Sequence, residues 1–159
     1  MFELKVTGYD DVARLVALGW PTRIISVVTR DMPAYGPHHF QVQVDDIIRP
    51  VPGLILPQPS DLARVLEFTA DLGAGDRLLV HCASGVNRST AMAIGVLIQH
   101  AVPYGIAYRQ VAVLRPSLAP NRLIISYVDT RFGLGGELNR LIVQPIRDLA
   151  RLRRASADS

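Results

Sequence analysis

The stretch from residue 77 to residue 98 limits this chain more than any other. A short apolar run, Leu78-Leu79-Val80, enters His81-Cys82-Ala83-Ser84-Gly85-Val86-Asn87-Arg88-Ser89, and a small-and-apolar stretch from Thr90 to Ile98 leaves it. The first part reads as a buried strand and the last as the start of a buried helix. A loop between a strand end and a helix N-terminus gathers backbone N–H groups around one point, at the positive end of the helix dipole, and such a cup binds an oxyanion. Cys82 is the only cysteine in the chain. On the cup's floor, amides and a nearby cation would bring its pKa into the range of about 3.5–7.5. Arg88, six positions on, has a planar fork that can hold two phosphate oxygens at once. The usual fate of a lone cysteine is that of a small buried hydrophobe. That reading leaves the placing of Gly85, Arg88 and Ser89 between strand and helix to coincidence.

The pattern assigns roles. In-line attack of Cys82 on phosphorus would form a cysteinyl-phosphate, dividing one hard displacement into two. The amides of Ala83, Ser84, Gly85, Val86, Asn87 and Arg88, with the Arg88 side chain, would hold the equatorial oxygens. Gly85 lets the backbone curl around them because it has no Cβ. Ser89 can donate a hydrogen bond to the sulfur and ease its departure, or serve the helix start, or both. The leaving oxygen needs a proton, and a positioned carboxylic acid is worth about 10²–10⁴ in rate. Asp45 and Asp46, which follow the alternating Phe40, Val42 and Val44, are the candidates. Alternation does not choose between them, because the strand ends there. His81 on its own is equally a satisfied core histidine. His38-His39 is a weak metal cue without partners at ligand spacing, and reads as polar loop. No metal or other cofactor is implied.

A chain of 159 residues is long enough for one domain, which buries about two-thirds of its unfolded surface. We expect that domain over residues 1–154, with a flexible tail over 155–159. A single cysteine permits no internal disulfide and fits a reducing, cytoplasmic setting. The N-terminus shows no secretory signal pattern. The longest apolar run falls far short of the ~20 residues of a membrane span, so no membrane partner is expected. The net charge is +3. Arg140, Arg147, Arg151, Arg153 and Arg154 cluster late and read as the solvated face of a terminal helix. No aromatic residues interleave with them, so no nucleic-acid partner is expected.

Strands are expected at 2–7, 23–29, 40–44 (near the sheet edge) and 77–81. Helices are expected at 10–18, with Val12, Leu15, Val16 and Leu18 at helical spacing, at 60–72 capped by Ser60-Asp61, and at 88–101, 104–114, 121–132 and 137–153. Strands alternating with helices, then a helical C-terminal part, give an α/β fold: a mainly parallel sheet of four or five strands flanked by helices. Ligands of such sheets lie beyond the carboxyl ends of the strands, where Cys82 and Asp46 would both fall.

Residues 81–89 resemble the His-Cys-x5-Arg-Ser signature of the cysteine-dependent protein phosphatases, of the small dual-specificity type. Arg115-Pro116-Ser117-Leu118-Ala119-Pro120-Asn121 is similar to that family's Arg-Pro…Pro-Asn stretch, and Val42-Gln43-Val44-Asp45-Asp46 to its strand ending in aspartate. The resemblance covers about residues 23–133. It is closest to small bacterial predicted tyrosine phosphatases, through Asp46-Ile47 and Pro52-Gly53-Leu54. It implies the dual-specificity fold, Asp46 rather than Asp45 as the acid, His81 keeping the thiolate placed, and Asn121 bonding the loop or capping the next helix. It also implies a phosphorylated protein or peptide as substrate, with phosphotyrosine foremost and phosphoserine or phosphothreonine behind it. Two other classes compete. One is a phosphatase of small-molecule or lipid phosphates, against which the uncharged loop residues weigh. The other is a non-catalytic phosphate-binding module, against which the presence of both thiol and acid weighs.

Overall fold

The computed structural model describes residues 1–144. The C-terminal part of the expected last helix, Arg147, Arg151, Arg153, Arg154 and the expected tail lie outside the described residues. The elements follow the order β1 (Glu3–Thr7), α1 (Tyr9–Ala17), β2 (Arg23–Val28), β3 (His39–Gln43), α2 (Pro59–Phe68), β4 (Arg77–His81), α3 (Arg88–Gln99), α4 (Tyr104–Leu114) and α5 (Arg122–Arg131). Helical turns over residues 137–144 follow.

The four strands form one parallel sheet in the order β1-β4-β2-β3. All four therefore end on the same side, so the carboxyl ends carry β4's exit into Cys82 and β3's exit into Asp45-Asp46 to one edge. Alternation divides the side chains between two faces. Ile25, Val27, Val42, Leu78 and Val80 pack under α2–α5, while Ile24 and Leu79 face Val12 and Leu15 of α1. β3 lies at the sheet edge, and its Phe40 stacks on Phe68 of α2 at 5.3 Å.

α3 is the central helix. Every residue from Arg88 to Leu97 is buried, as expected of a helix walled in by α2, α4, α5 and the sheet. Gly95 permits this packing: a Cβ there would come to 3.2 Å from the side chains of both Leu62 in α2 and Val128 in α5.

Two local expectations are corrected. Leu18 is 69% exposed, because α1 ends at Ala17 and Leu18 is its C-cap. The cap of α2 is Gln58, not Ser60. Pro59 occupies the first helical position, where its missing N–H costs nothing, and Asp61 Oδ2 accepts from the Gln58 amide at 2.8 Å.

Core and rim should separate clearly in denaturation. Ile94→Ala, at a site with 0% exposure, is expected to lose about 2–5 kcal/mol in urea unfolding. Val113→Ala, at 79% exposure, is expected to stay within about 0.5 kcal/mol.

Candidate active site

The nine residues from His81 to Ser89 make a cup because of what holds them from outside. Each carbonyl from Ala83 to Asn87 is tied to another part of the chain. Ala83 O accepts from the Tyr9 amide at 3.1 Å. Ser84 O accepts from Arg115 Nη2 at 2.8 Å, and Gly85 O from Arg115 Nε at 3.1 Å. Val86 O accepts from the Ala119 amide at 3.0 Å, and Asn87 O from the Asn121 amide at 3.1 Å. A peptide plane is rigid, so a carbonyl pinned outward turns its N–H the other way. Among the described residues none of the amides from Ala83 to Asn87 donates to a backbone carbonyl.

Gly85 is where the curl is tightest. Its φ is +71°, and a Cβ would stand 2.4 Å from Thr7 C and 2.6 Å from Thr7 O. The loop lies directly on the end of β1, and Gly8 supports it in the same way: a Cβ there would reach 2.9 Å from Ala83 O. Both positions need the small residue for space, and Gly85 needs it for conformation as well.

Cys82 lies at the floor with 1% exposure, while Ala83 and Ser84 at the rim are exposed. Its sulfur is 3.1 Å from Ser89 Oγ. Burial pushes the thiol's pKa up. The Ser89 hydroxyl, the amides of Ser89 and Gly85 and the charge of Arg88 together outweigh burial, leaving it below the usual thiol value. A hydroxyl has one proton, and beside a thiolate it donates that proton to sulfur. Arg88 is 5% exposed. Its Nη1 donates to Val44 O at 2.8 Å, and its Nε is buried with no partner among the described residues. One edge of the guanidinium is thus spent on orientation and another still carries a free donor.

The two aspartates are separated by their partners. Asp45 Oδ2 accepts from the Ile55 amide at 2.6 Å, and the Asp45 amide donates to Ile55 O at 2.8 Å. Asp45 therefore closes the 46–54 connection at its base. Asp46 is exposed, and its Oδ1 accepts from Asn121 Nδ2 at 2.8 Å, while Oδ2 has no partner among the described residues. Asn121 also donates to Ile47 O at 3.2 Å, and its Oδ1 caps α5 by accepting from the amides of Leu123 and Ile124, each at 3.1 Å.

His81 is fully buried, with Nε2 bonded to Ser26 Oγ and Nδ1 without a partner. Burial, and then the nearness of His39, bring its pKa down to about 4 against a small opposing pull from the Cys82 backbone. His39, expected in a polar loop, is instead the first residue of β3 and turns toward Ser26. Among the described residues no group of three His, Cys, Asp or Glu side chains could hold a metal ion.

Beside Asp46 and Asn87 a cavity of about 510 Å³ opens, walled largely by Ile47, Ile48, Val51 and Pro120, with Arg49 and Arg122 also on its lining. The residue types alone did not mark Arg115, Gly8 or the Asn87 side chain, whose Nδ2 donates to Ala119 O at 2.8 Å. For Arg115 a signal was present: it heads the Arg-Pro stretch already matched.

No protein-family model matches the chain, and no curated protein does. Solved structures do. Human DUSP28 is 21% identical with a TM-score of 0.65 over 82% of this chain and 92% of that one. The Yvh1 phosphatase domain from Chaetomium thermophilum is 21% identical, TM-score 0.63, over 87% and 95%. PTPMT1 in complex with PI(5)P is 18% identical, TM-score 0.59, over 91% and 94%. The chain has the dual-specificity phosphatase fold.

Two outcomes test this geometry. Gly85→Ala is expected to cost about 2–4 kcal/mol in thermal or urea unfolding, from backbone strain plus overlap with Thr7. Gly53→Ala, at φ +81° with nothing within 4 Å, carries the strain alone and should cost less. The second concerns pH. The unfolded chain takes a proton on His81 near pH 6.5, whereas folded His81 resists until about 4. The unfolded state therefore binds more protons in that window. Stability from this group is complete above about pH 6.5 and falls as pH drops toward 4, by on the order of 3 kcal/mol in urea titrations.

Proposed function

We propose, on the dual-specificity phosphatase fold and the chemistry of its loop, that this protein hydrolyses phosphate monoesters through a cysteinyl-phosphate intermediate, and that its substrate is a phosphotyrosine-bearing protein or peptide. One observation carries the reading: the Cys82 sulfur, 3.1 Å from a serine hydroxyl, lies on the floor of a loop whose carbonyls are all drawn outward.

Unaided hydrolysis of a phosphate monoester is extremely slow, and the reaction asks mainly for positioning and charge neutralisation. The inward amides and the free donor of Arg88 take the non-bridging oxygens. Cys82 attacks phosphorus in line as a thiolate, and the P–O bond to the leaving group breaks. Asp46, protonated on Oδ2 and held through Oδ1 by Asn121, gives its proton to the departing oxygen. Water then attacks the cysteinyl-phosphate, Asp46 takes up its proton, and the sulfur leaves as thiolate with the Ser89 hydroxyl donating to it. The second displacement restores Cys82 and releases inorganic phosphate. The Arg88 bond to Val44 O supports this cycle because it sets the guanidinium from the same strand end that carries Asp46.

The cavity beside Asp46 supports an aromatic leaving group. Aliphatic walls favour a phenyl ring over the short stem of phosphoserine or phosphothreonine. A second reading has an observation of its own: Ile48, Val51, Leu54 and Ile55 are 40–49% exposed on the connection that follows Asp46. That surface also suits a lipid phosphate, the ligand class in the PTPMT1 complex with PI(5)P. Against it, Ala83, Ser84, Val86 and Asn87 bring no charge for a multiply phosphorylated headgroup. The single thiol fits a reducing, cytoplasmic setting.

The test is phosphate release from an aryl phosphate, then from phosphotyrosine peptides and from vesicles carrying phosphoinositides. Cys82→Ser is expected to abolish turnover, and turnover equal to wild type would end the enzymatic reading. Asp46→Ala should lower kcat by about 10²–10⁴, while Asp45→Ala should lose stability rather than turnover. Faster release from vesicles than from peptides would move the substrate to the second class.

A further inference from the structure

Most arginine side chains among the described residues are committed to the fold or to a neighbour. Arg14, Arg23 and Arg140 pair with Asp11, Asp71 and Glu137. Arg77, Arg88 and Arg115 donate to main-chain carbonyls, and Arg64 lies over the Phe40 ring. Arg49 and Arg122 do none of these among the described residues. Both are exposed, and both line the cavity beside Asp46.

Their main-chain positions are fixed by the site. Arg122 follows Asn121, whose amide donates to Asn87 O in the cup and whose side chain holds Asp46. Arg49 comes three positions after Asp46, on the connection that Asp45 and Ile55 close at its base. Two different elements thus bring guanidinium groups to one space. The aliphatic walls beside them weaken the screening that bulk water would give. Asp46 is the one acid on that lining among the described residues, and in the proposed reaction it carries a proton when the substrate arrives. The cavity then holds two cations and no anion. Like charges around one space repel, and an oxyanion between them turns that repulsion into two charge-assisted contacts. There is also room for it. About 510 Å³ is within the range that encloses a drug-sized molecule, more than a single phenyl ring fills.

We infer that Arg49 and Arg122 form a second anion subsite, which takes an oxyanion carried by the same peptide within two positions of the phosphotyrosine. The inference rests on the phosphotyrosine phosphatase reading and narrows its substrates to acidic segments. An Asp or Glu carboxylate and a phosphoryl group on a neighbouring residue share the chemistry that a guanidinium fork recognises.

The test uses the full chain and phosphotyrosine peptides that differ at one neighbouring position, which holds Asp, Asn, Lys or phosphoserine. Each variant is its own control, because the quantity read is the ratio of kcat/KM between peptides. The wild type is expected to favour the Asp peptide over the Asn peptide by about tenfold, through KM, and to lose that preference at high salt. Arg49→Ala with Arg122→Ala should bring the ratio close to one, and Arg49→Lys with Arg122→Lys should keep part of it. Arg122→Glu should turn the preference toward the Lys peptide. Both side chains are exposed, so these variants are expected to fold. Whichever of the Asp and phosphoserine peptides loses more in the double Ala variant identifies the oxyanion. Equal kcat/KM for the Asp and Asn peptides in the wild type, or a ratio unmoved in the double Ala variant, overturns the subsite. Arginine-dependent release from phosphoinositide vesicles with no preference among peptides overturns it as well, in favour of a lipid headgroup. Peptide binding to Cys82→Ser, followed by fluorescence anisotropy, separates this inference from the reading beneath it. Turnover without any acid preference sinks the subsite and leaves the phosphatase. A wild type without turnover, whose Cys82→Ser variant still binds the Asp peptide in preference to the Asn peptide through both arginines, sinks the phosphatase and supports the subsite.

Discussion

The cup depends on carbonyls turned away from it. Five consecutive carbonyl oxygens, from Ala83 to Asn87, are each taken by a donor from elsewhere: the start of α1, the Arg115 fork after α4, and the amides of Ala119 and Asn121 before α5. Nothing within His81–Ser89 could do this, because residues in so tight a curl cannot reach behind themselves. The arrangement works against folding. Convergent N–H dipoles repel one another, and a buried donor without a partner, as at Arg88 Nε, costs about 1–3 kcal/mol. The loop holds its shape because the elements supplying the donors are fixed by packing: α4 and α5 against α3, whose residues from Arg88 to Leu97 are buried, and α1 against the opposite face of the sheet.

Registration between Cys82 and Asp46 follows from two side chains. Arg88 reaches from the start of α3 to Val44 O just past β3, which ties the guanidinium to the backbone two residues before Asp46. Asn121 bonds Asp46, caps α5 and gives its amide to Asn87 O. With the Asp45–Ile55 pair closing the connection at its base, the carboxylate is placed by β3, α3 and α5 together rather than by its own exposed loop.

What could be read from the chain beforehand was whatever has short-range physics. The β4–loop–α3 passage, all four strands and the starts of α3 and α4 follow from apolar periodicity and β-branched runs, and the 104–114 helix has the expected bounds. The choice between Asp45 and Asp46 was different in kind. Both are short acidic side chains at one strand end, and only the positions of Ile55 and Asn121 tell them apart. The end of α1 was misread at Leu18 because spacing counts an apolar residue as inward whether or not the helix reaches it. His39 looked like loop because Pro33, Gly36 and Pro37 precede it, and what draws it into the sheet is Ser26, thirteen residues earlier on a different strand. Arg115 and Ser26 contribute through side-chain reach across the fold, which no local pattern encodes.

The polar layer under α1 costs stability where the rest of that face gains it. Ile24 and Leu79 show what this face of the sheet does best, burying aliphatic surface against Val12 and Leu15. One step further toward the carboxyl ends, Ser26, His39 and His81 replace that packing with hydrogen bonds, and His81 Nδ1 and Thr7 Oγ1 remain buried without partners. Burying polar groups stabilises a fold only when each is satisfied, and here the last member of the chain is not. Aliphatic side chains at Ser26 and His81 would give a more stable sheet by the same reasoning that explains Ile24 and Leu79.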